Sequence, residues 1–148
     1  MILVDADACP VKEEITRVAL RHKCPVRFVA NQGLRLPDHP LIKMVVVDAG
    51  FDAADDAIAE AAGPHTLVIT ADILLADRCL KSGAAVMDPK GRAFSQASIG
   101  AQIATRAIMA DLRAGLEGQA IGGQKTFSQK DRSQFLNALE NALRKLPR

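Results

Sequence analysis

Short apolar runs alternate with stretches of helical periodicity through the first two thirds of this 148-residue chain. "MILV", "VRFVA" (26–30), "KMVVVDA" (centred on 45–47), "TLVIT" and "AAVMD" read as buried strands. Pro10 suits a first helical turn, and "VKEEITRVALRH" then puts Val11, Ile15, Val18 and Ala19 on one face. "DAADDAIAEAAG" reads as a helix closed by Gly63, and "DILLADRCLKSG" as one that starts at an Asp cap and ends at Gly83. "NQGLRLPDHP" is a loop by its Gly and Pro content, and "PKG" turns the chain away from the last strand. Strands with helices between most of them predict an α/β fold. The expected form is a three-layer sandwich around a mainly parallel five-stranded sheet.

The tail has a different pattern. "SQASIGAQIATRAIMADLRA" and "SQKDRSQFLNALENALRKL" are helical, joined by the Gly-rich "GLEGQAIGGQKTF". Ser128 and Asp131 resemble a capping box, with Asp in place of the preferred Glu or Gln. The chain therefore reads as a single domain over 1–148, with an α/β core (1–93) and a C-terminal two-helix extension (94–148). Phe135, Leu136, Leu139 and Leu143 on the last helix suit either the core or a homodimer.

Composition sets limits. With 49% hydrophobic and 24% charged residues the chain should be globular, and without Trp or Tyr its core must be aliphatic. Three cysteines without CxxC spacing argue against a disulfide framework or a zinc site, and point to a reducing, cytoplasmic setting. No apolar run is long enough for a signal peptide or a membrane span. The net charge of +2 is uneven: residues 1–93 carry 11 Lys+Arg against 13 Asp+Glu, whereas 94–148 carry 8 against 4. A basic tail beside acidic clusters suits a nucleic-acid substrate, although ordinary solvated helix faces give the same tally.

The acids are the candidate chemistry. In a parallel α/β sheet, ligands gather outside the carboxyl ends of the strands. Asp5 and Asp7 follow the first strand, Asp48, Asp52, Asp55 and Asp56 the third, Asp72 and Asp77 the fourth, and Asp88 the fifth. Asp52, Asp55 and Asp56 share a helix face, where each like-charged pair costs about 0.2–0.5 kcal/mol. Either the helix N-terminus or a hard divalent cation accounts for them. Asp52 and Asp72 also suit N-caps, Asp77 a surface position beside Arg78, and Asp88 a turn before Pro89. Asp5 is less easily explained structurally, because strands disfavour Asp. Cys9 and Cys79 read as small buried hydrophobes, and the three histidines are isolated.

"DADACPVK", "DAGFDAADDAI", "TADILLADRCL" with "GAAVMDPKG", and "GGQKTFSQKDRSQFLNALE" together resemble the YaiI/YqxD family of uncharacterised bacterial proteins over essentially the whole chain. That family is in turn similar to the PIN-like nuclease superfamily. The resemblance implies a metal-dependent nuclease or phosphodiesterase, with RNA the favoured substrate. Its catalytic ligands would be Asp5, Asp55 and Asp72, holding Mg²⁺ or Mn²⁺. Asp7, Asp52 and Asp77 would surround that ion or hold a second. Lys125, Lys130 and Arg132 would clamp phosphates across the acidic mouth, or else stay solvated or meet a second subunit. Two alternatives stand beside this reading. "DADAC" approaches the DxDx(T/V) signature of haloacid-dehalogenase-type phosphatases, although Cys9 replaces Thr or Val and no room is left for a cap. The other alternative is a non-catalytic PIN-like scaffold that binds RNA or protein.

Overall fold

The element order is β1 (Ile2–Asp5), α1 (Lys12–Arg21), β2 (Val26–Ala30), β3 (Ile42–Val46), α2 (Ala53–Ala61), β4 (Leu67–Ile69), α3 (Ile73–Lys81), β5 (Ala85–Met87), β6 (Ala93–Phe94), α4 (Gln96–Gly115) and α5 (Gln129–Lys145). These come from a computed structural model that describes residues 1–7, 9–48, 50, 52–115 and 127–146. The strands form one sheet in the order β3-β2-β1-β4-β5-β6. β1 to β5 run parallel, and β6 pairs antiparallel to β5. The expected five parallel strands are thus present, with a two-residue sixth strand added at one edge. Too short to show a period of two, β6 gives no sequence signal of its own.

The order reverses at β1. From there the chain builds outward through β2 and β3, then crosses back to β4 and β5 on the other side. A parallel strand needs a right-handed crossover, so this reversal puts the helices of the two halves on opposite faces. Strand alternation fills both faces. Ile2, Val4, Phe28, Leu67 and Ile69 face α1 and α5, while Leu3, Val29, Val68 and Val86 face α2, α3 and α4. Both layers are aliphatic apart from buried Phe28 and Phe135.

The last helix belongs to the core. Phe135 and Leu139 are fully buried and Leu143 nearly so, all against α1 and the sheet. Ser128 and Asp131 make the reciprocal capping box: the Asp131 N–H donates to Ser128 Oγ at 3.1 Å and the Ser128 N–H to Asp131 Oδ2 at 3.0 Å. Gly91 brings the "DPKG" turn against this helix. Its φ is +87°, and a Cβ there would lie 2.9 Å from the Gln134 carbonyl oxygen. Asp88 closes the same turn by accepting from the Lys90 and Arg92 N–H groups at 2.9 Å. Two boundaries differ from expectation. α2 ends at Ala61, before Gly63, and Gly63 does not take a left-handed conformation. β3 ends at Val46, so Val47 and Asp48 lie beyond it. Among the described residues no helix is long and apolar enough to cross a membrane.

Candidate functional site

The carboxyl edge of the sheet opens where β1 and β4 are neighbours and their flanking helices diverge. In open α/β sheets this is where ligands bind. Asp5 ends β1 on the face that carries Leu3, and Thr70 follows β4 on the face that carries Val68. The two meet: Thr70 Oγ1 donates to Asp5 Oδ2 at 2.9 Å. The same hydroxyl accepts from the Asp72 N–H at 3.0 Å, so a buried threonine ties together the two acid-bearing strand ends. Asp72 caps α3, its Oδ1 accepting from the Leu74 and Leu75 N–H groups at 2.9 and 3.3 Å.

α2 contributes the opposite wall. Asp52 precedes the helix with φ +64°, a left-handed conformation that Asp tolerates better than most residues, and its side chain makes no capping bond. Asp55 sits in the first turn, where the helix dipole favours negative charge. That benefit is outweighed. Partial burial, with the charges of Asp72, Asp5 and Asp52 adding to it, pushes the Asp55 carboxyl up to about 6. Burial also raises Asp5. The Thr70 bond pulls it back, and Asp7 and Asp72 push it up again. A cleft of about 530 Å³ opens among Asp5, Asp7, Asn31, Asp52 and Asp55, and no Lys or Arg is among the described residues lining it.

The remaining predicted residues take different positions. Asp7 is exposed at the cleft rim and accepts from the Asn31 N–H at 3.1 and 3.2 Å. Asp77 pairs with Lys81 at 2.9 Å one turn along α3, and Asp56 with Arg78 at 2.9 Å. Arg132 lies on the other face of the sheet. Its Nη1 donates to the Pro10 carbonyl at 2.9 Å and to Glu14 Oε1 at 3.1 Å, and its guanidinium lies 5.1 Å from the Phe127 ring centroid. Lys130 is exposed in the first turn of α5, and Lys125 lies outside the described residues. Burial raises the Cys9 thiol and pushes Cys79 up to about 11, so neither is a ready nucleophile. Thr70 and Asn31 were not singled out by the sequence. "TAD" contains Thr70, but its role follows from β1 and β4 being neighbours.

The donors at the mouth are carboxylate oxygens, the type that hard divalent cations take. Among the described residues, no three His, Cys, Asp or Glu side chains converge closely enough to enclose an ion. The set therefore fits a largely hydrated ion held by one or two carboxylates, the habit of Mg²⁺, and not a closed protein cage.

A doubly wound α/β domain with an acidic mouth at its switch point is the class that this geometry defines. The chain belongs to the YaiI/YqxD family: residues 3–145 match the family model described as "Uncharacterized BCR, YaiI/YqxD family". It is 67% identical to a UPF0178 protein of Jannaschia sp. (strain CCS1), covering 99% of this chain and 94% of that one. Against a UPF0178 protein of Sphingopyxis alaskensis it is 64% identical, covering 100% and 96%. A UPF0178 protein of Nitrobacter winogradskyi is 53% identical over 99% and 92%. No solved structure matches the chain.

Proposed function

We propose that the acidic mouth is the site of a metal-dependent phosphodiester hydrolase of PIN-like type, acting on RNA with Mg²⁺ or Mn²⁺. One observation carries the reading. Asp5 and Asp55 come from separate elements and line one cleft whose described lining has no Lys or Arg; burial raises both carboxyls, and the charge of Asp72, with Asp7 at Asp5 and with Asp5 and Asp52 at Asp55, raises them further. Such repulsion is a structural cost, and a bound cation would offset it.

Asp5 and Asp72 would hold the ion, with Asp55 facing them from α2. When bound, such an ion polarises the phosphoryl oxygens and lowers the pKa of attacking water. The chain's own groups do the rest. Thr70 fixes the Asp5 carboxylate and the Asp72 backbone relative to each other. Asp55, titrating at about 6, suits holding or releasing a proton near neutral pH. Asp7, at the rim on the Asn31 N–H, orients the approach to the cleft.

The test is cleavage of a mixed RNA and DNA panel with Mn²⁺ or Mg²⁺, using the wild type, Asp5→Asn and Asp72→Asn. Asn is also a good N-cap, so the second variant should keep α3 intact. Cleavage that both variants abolish supports the reading, and equal cleavage by all three proteins marks a contaminant and sinks it. Hydrolysis of p-nitrophenyl phosphate alone, lost in Asp5→Asn, would assign a phosphatase instead. Absence of both cleavage and calorimetric metal binding would leave a non-catalytic scaffold.

A further inference from the structure

The face opposite α2 and α3 carries a second, oppositely charged feature. α1 and α5 form a groove of about 820 Å³. One wall presents Arg17 and Arg21, four residues apart on α1; the other presents Asn137, Asn141 and Arg144, which share a face of α5. Glu140 sits between the walls, paired with Arg21 at 3.1 Å and with His22 at 2.6 Å. Among the described residues, Arg17, Arg35 and Arg144 form no ion pair. The groove continues through Arg17 into a second depression of about 480 Å³, lined by Lys12, Glu13 and Arg35. Lys12 in turn donates to the Cys9 carbonyl at 2.9 Å, beside the loop that leaves Asp5 and Asp7.

Cations thus line α1 from Arg21 through Arg17 to Lys12 in its first turn, with Arg144 and Arg35 beside them. Five cations (Lys12, Arg17, Arg21, Arg35 and Arg144) face two carboxylates, Glu13 and Glu140. Arg17 and Arg21 sit at a spacing that costs an isolated helix about 0.2–0.5 kcal/mol, and only Arg21 has a carboxylate partner. Guanidinium forks alternating with side-chain amides are phosphate donors. No Phe, Tyr or Trp is among the described residues lining either depression, and the one imidazole there, His22, is held by Glu140, so the lining offers phosphate contacts more than stacking platforms.

We infer that the α1–α5 groove is a track for the phosphate backbone of RNA, read without regard to sequence. The direction of the track, toward the acidic mouth, rests on the hydrolase reading; binding to the groove does not. The two charged faces then divide the work. The basic groove holds the polyanion by its backbone, and the acidic mouth meets a phosphodiester only at the end of that path.

Fluorescence anisotropy of a labelled mixed-sequence RNA, in EDTA and across a NaCl series, tests this apart from cleavage. The logarithm of the association constant should fall linearly with the logarithm of salt concentration. Arg17→Ala and Arg144→Ala should each reduce that slope by about one unit. The Arg17→Glu/Arg144→Glu double variant should bind at least roughly 100-fold more weakly at low salt. Lys43→Ala, an exposed cation on β3, should change affinity less than about twofold. Both arginines are exposed, so melting curves should match the wild type. Unchanged RNA affinity in the double variant would overturn the track. So would preference for phosphatidylserine vesicles or polyglutamate over RNA. Binding that follows these expectations without any metal-dependent cleavage would count against the hydrolase alone. Cleavage that persists undiminished in the double variant would count against the track alone.

Discussion

Asp55→Asn should make the protein more stable at pH 8. The native Asp55 carboxyl titrates at about 6, above its ordinary value of 3.8. The folded protein therefore binds this proton more tightly than the unfolded chain does. Stability is lost as pH rises from about 4 through 6, and the whole penalty is present above that window. A rise of about two units corresponds to about 3 kcal/mol at 1.36 kcal/mol per unit. Water in the open cleft screens the like charges, and a negative charge in a first helical turn is worth about 0.3–1 kcal/mol, so both effects reduce the gain. We expect a net stabilisation of about 1–2 kcal/mol, or about 3–6 °C in Tm for a chain of this size. Thermal melts in EDTA at pH 8 and pH 3.5 measure it. The variant should lead at pH 8 and lose its advantage at pH 3.5, where the wild-type carboxyl is largely protonated. Adding millimolar Mn²⁺ at pH 8 should raise the wild-type Tm and narrow the gap. A variant that melts at or below the wild type at pH 8, or a gap that ignores pH, would refute the burial and charge crowding of the Asp55 carboxylate on which the site rests.

Three further predictions address the structure around the site. Thr70→Val removes the hydroxyl that joins Asp5 to the Asp72 N–H, and should cost about 1–2 kcal/mol in urea denaturation, with Thr70→Ser close to wild type. A loss as large in the serine variant would show that packing, not the hydroxyl, matters there. Gly91→Ala combines a left-handed φ with a Cβ 2.9 Å from the Gln134 carbonyl, and should cost about 2–4 kcal/mol. Gly63→Ala, with nothing within 4 Å, should stay within about 0.5 kcal/mol of wild type, so equal effects at the two glycines would disprove the contact with α5. Phe135→Ala should lose about 3–5 kcal/mol without gaining a concentration-dependent Tm, because the ring is buried within one chain; a loss below about 1 kcal/mol would place α5 outside the core.

Much of this molecule is legible in order along the chain. Aliphatic runs of strand length, the helical spacing of Val11, Ile15 and Val18, and the capping residues Asp72 and Ser128 each act on neighbours a few residues away. Period and propensity therefore determine the elements and the parallel α/β class. The aspartates were equally visible, because an acid after nearly every strand needs no three-dimensional knowledge to be noticed. Which of them meet is a different matter. Asp77 and Asp55 look alike in sequence, yet one is matched by Lys81 and the other is left facing Asp5 and Asp72. That distinction depends on strand order, since β1 and β4 become neighbours only after the crossover from β3. Thr70 acquires its partner by the same step. The tail shows the limit most plainly. Its apolar stripe allowed a core or a dimer face, and only the packing of Phe135 against α1 decided it. Periodicity states that a face must be buried, and tertiary structure alone states against what.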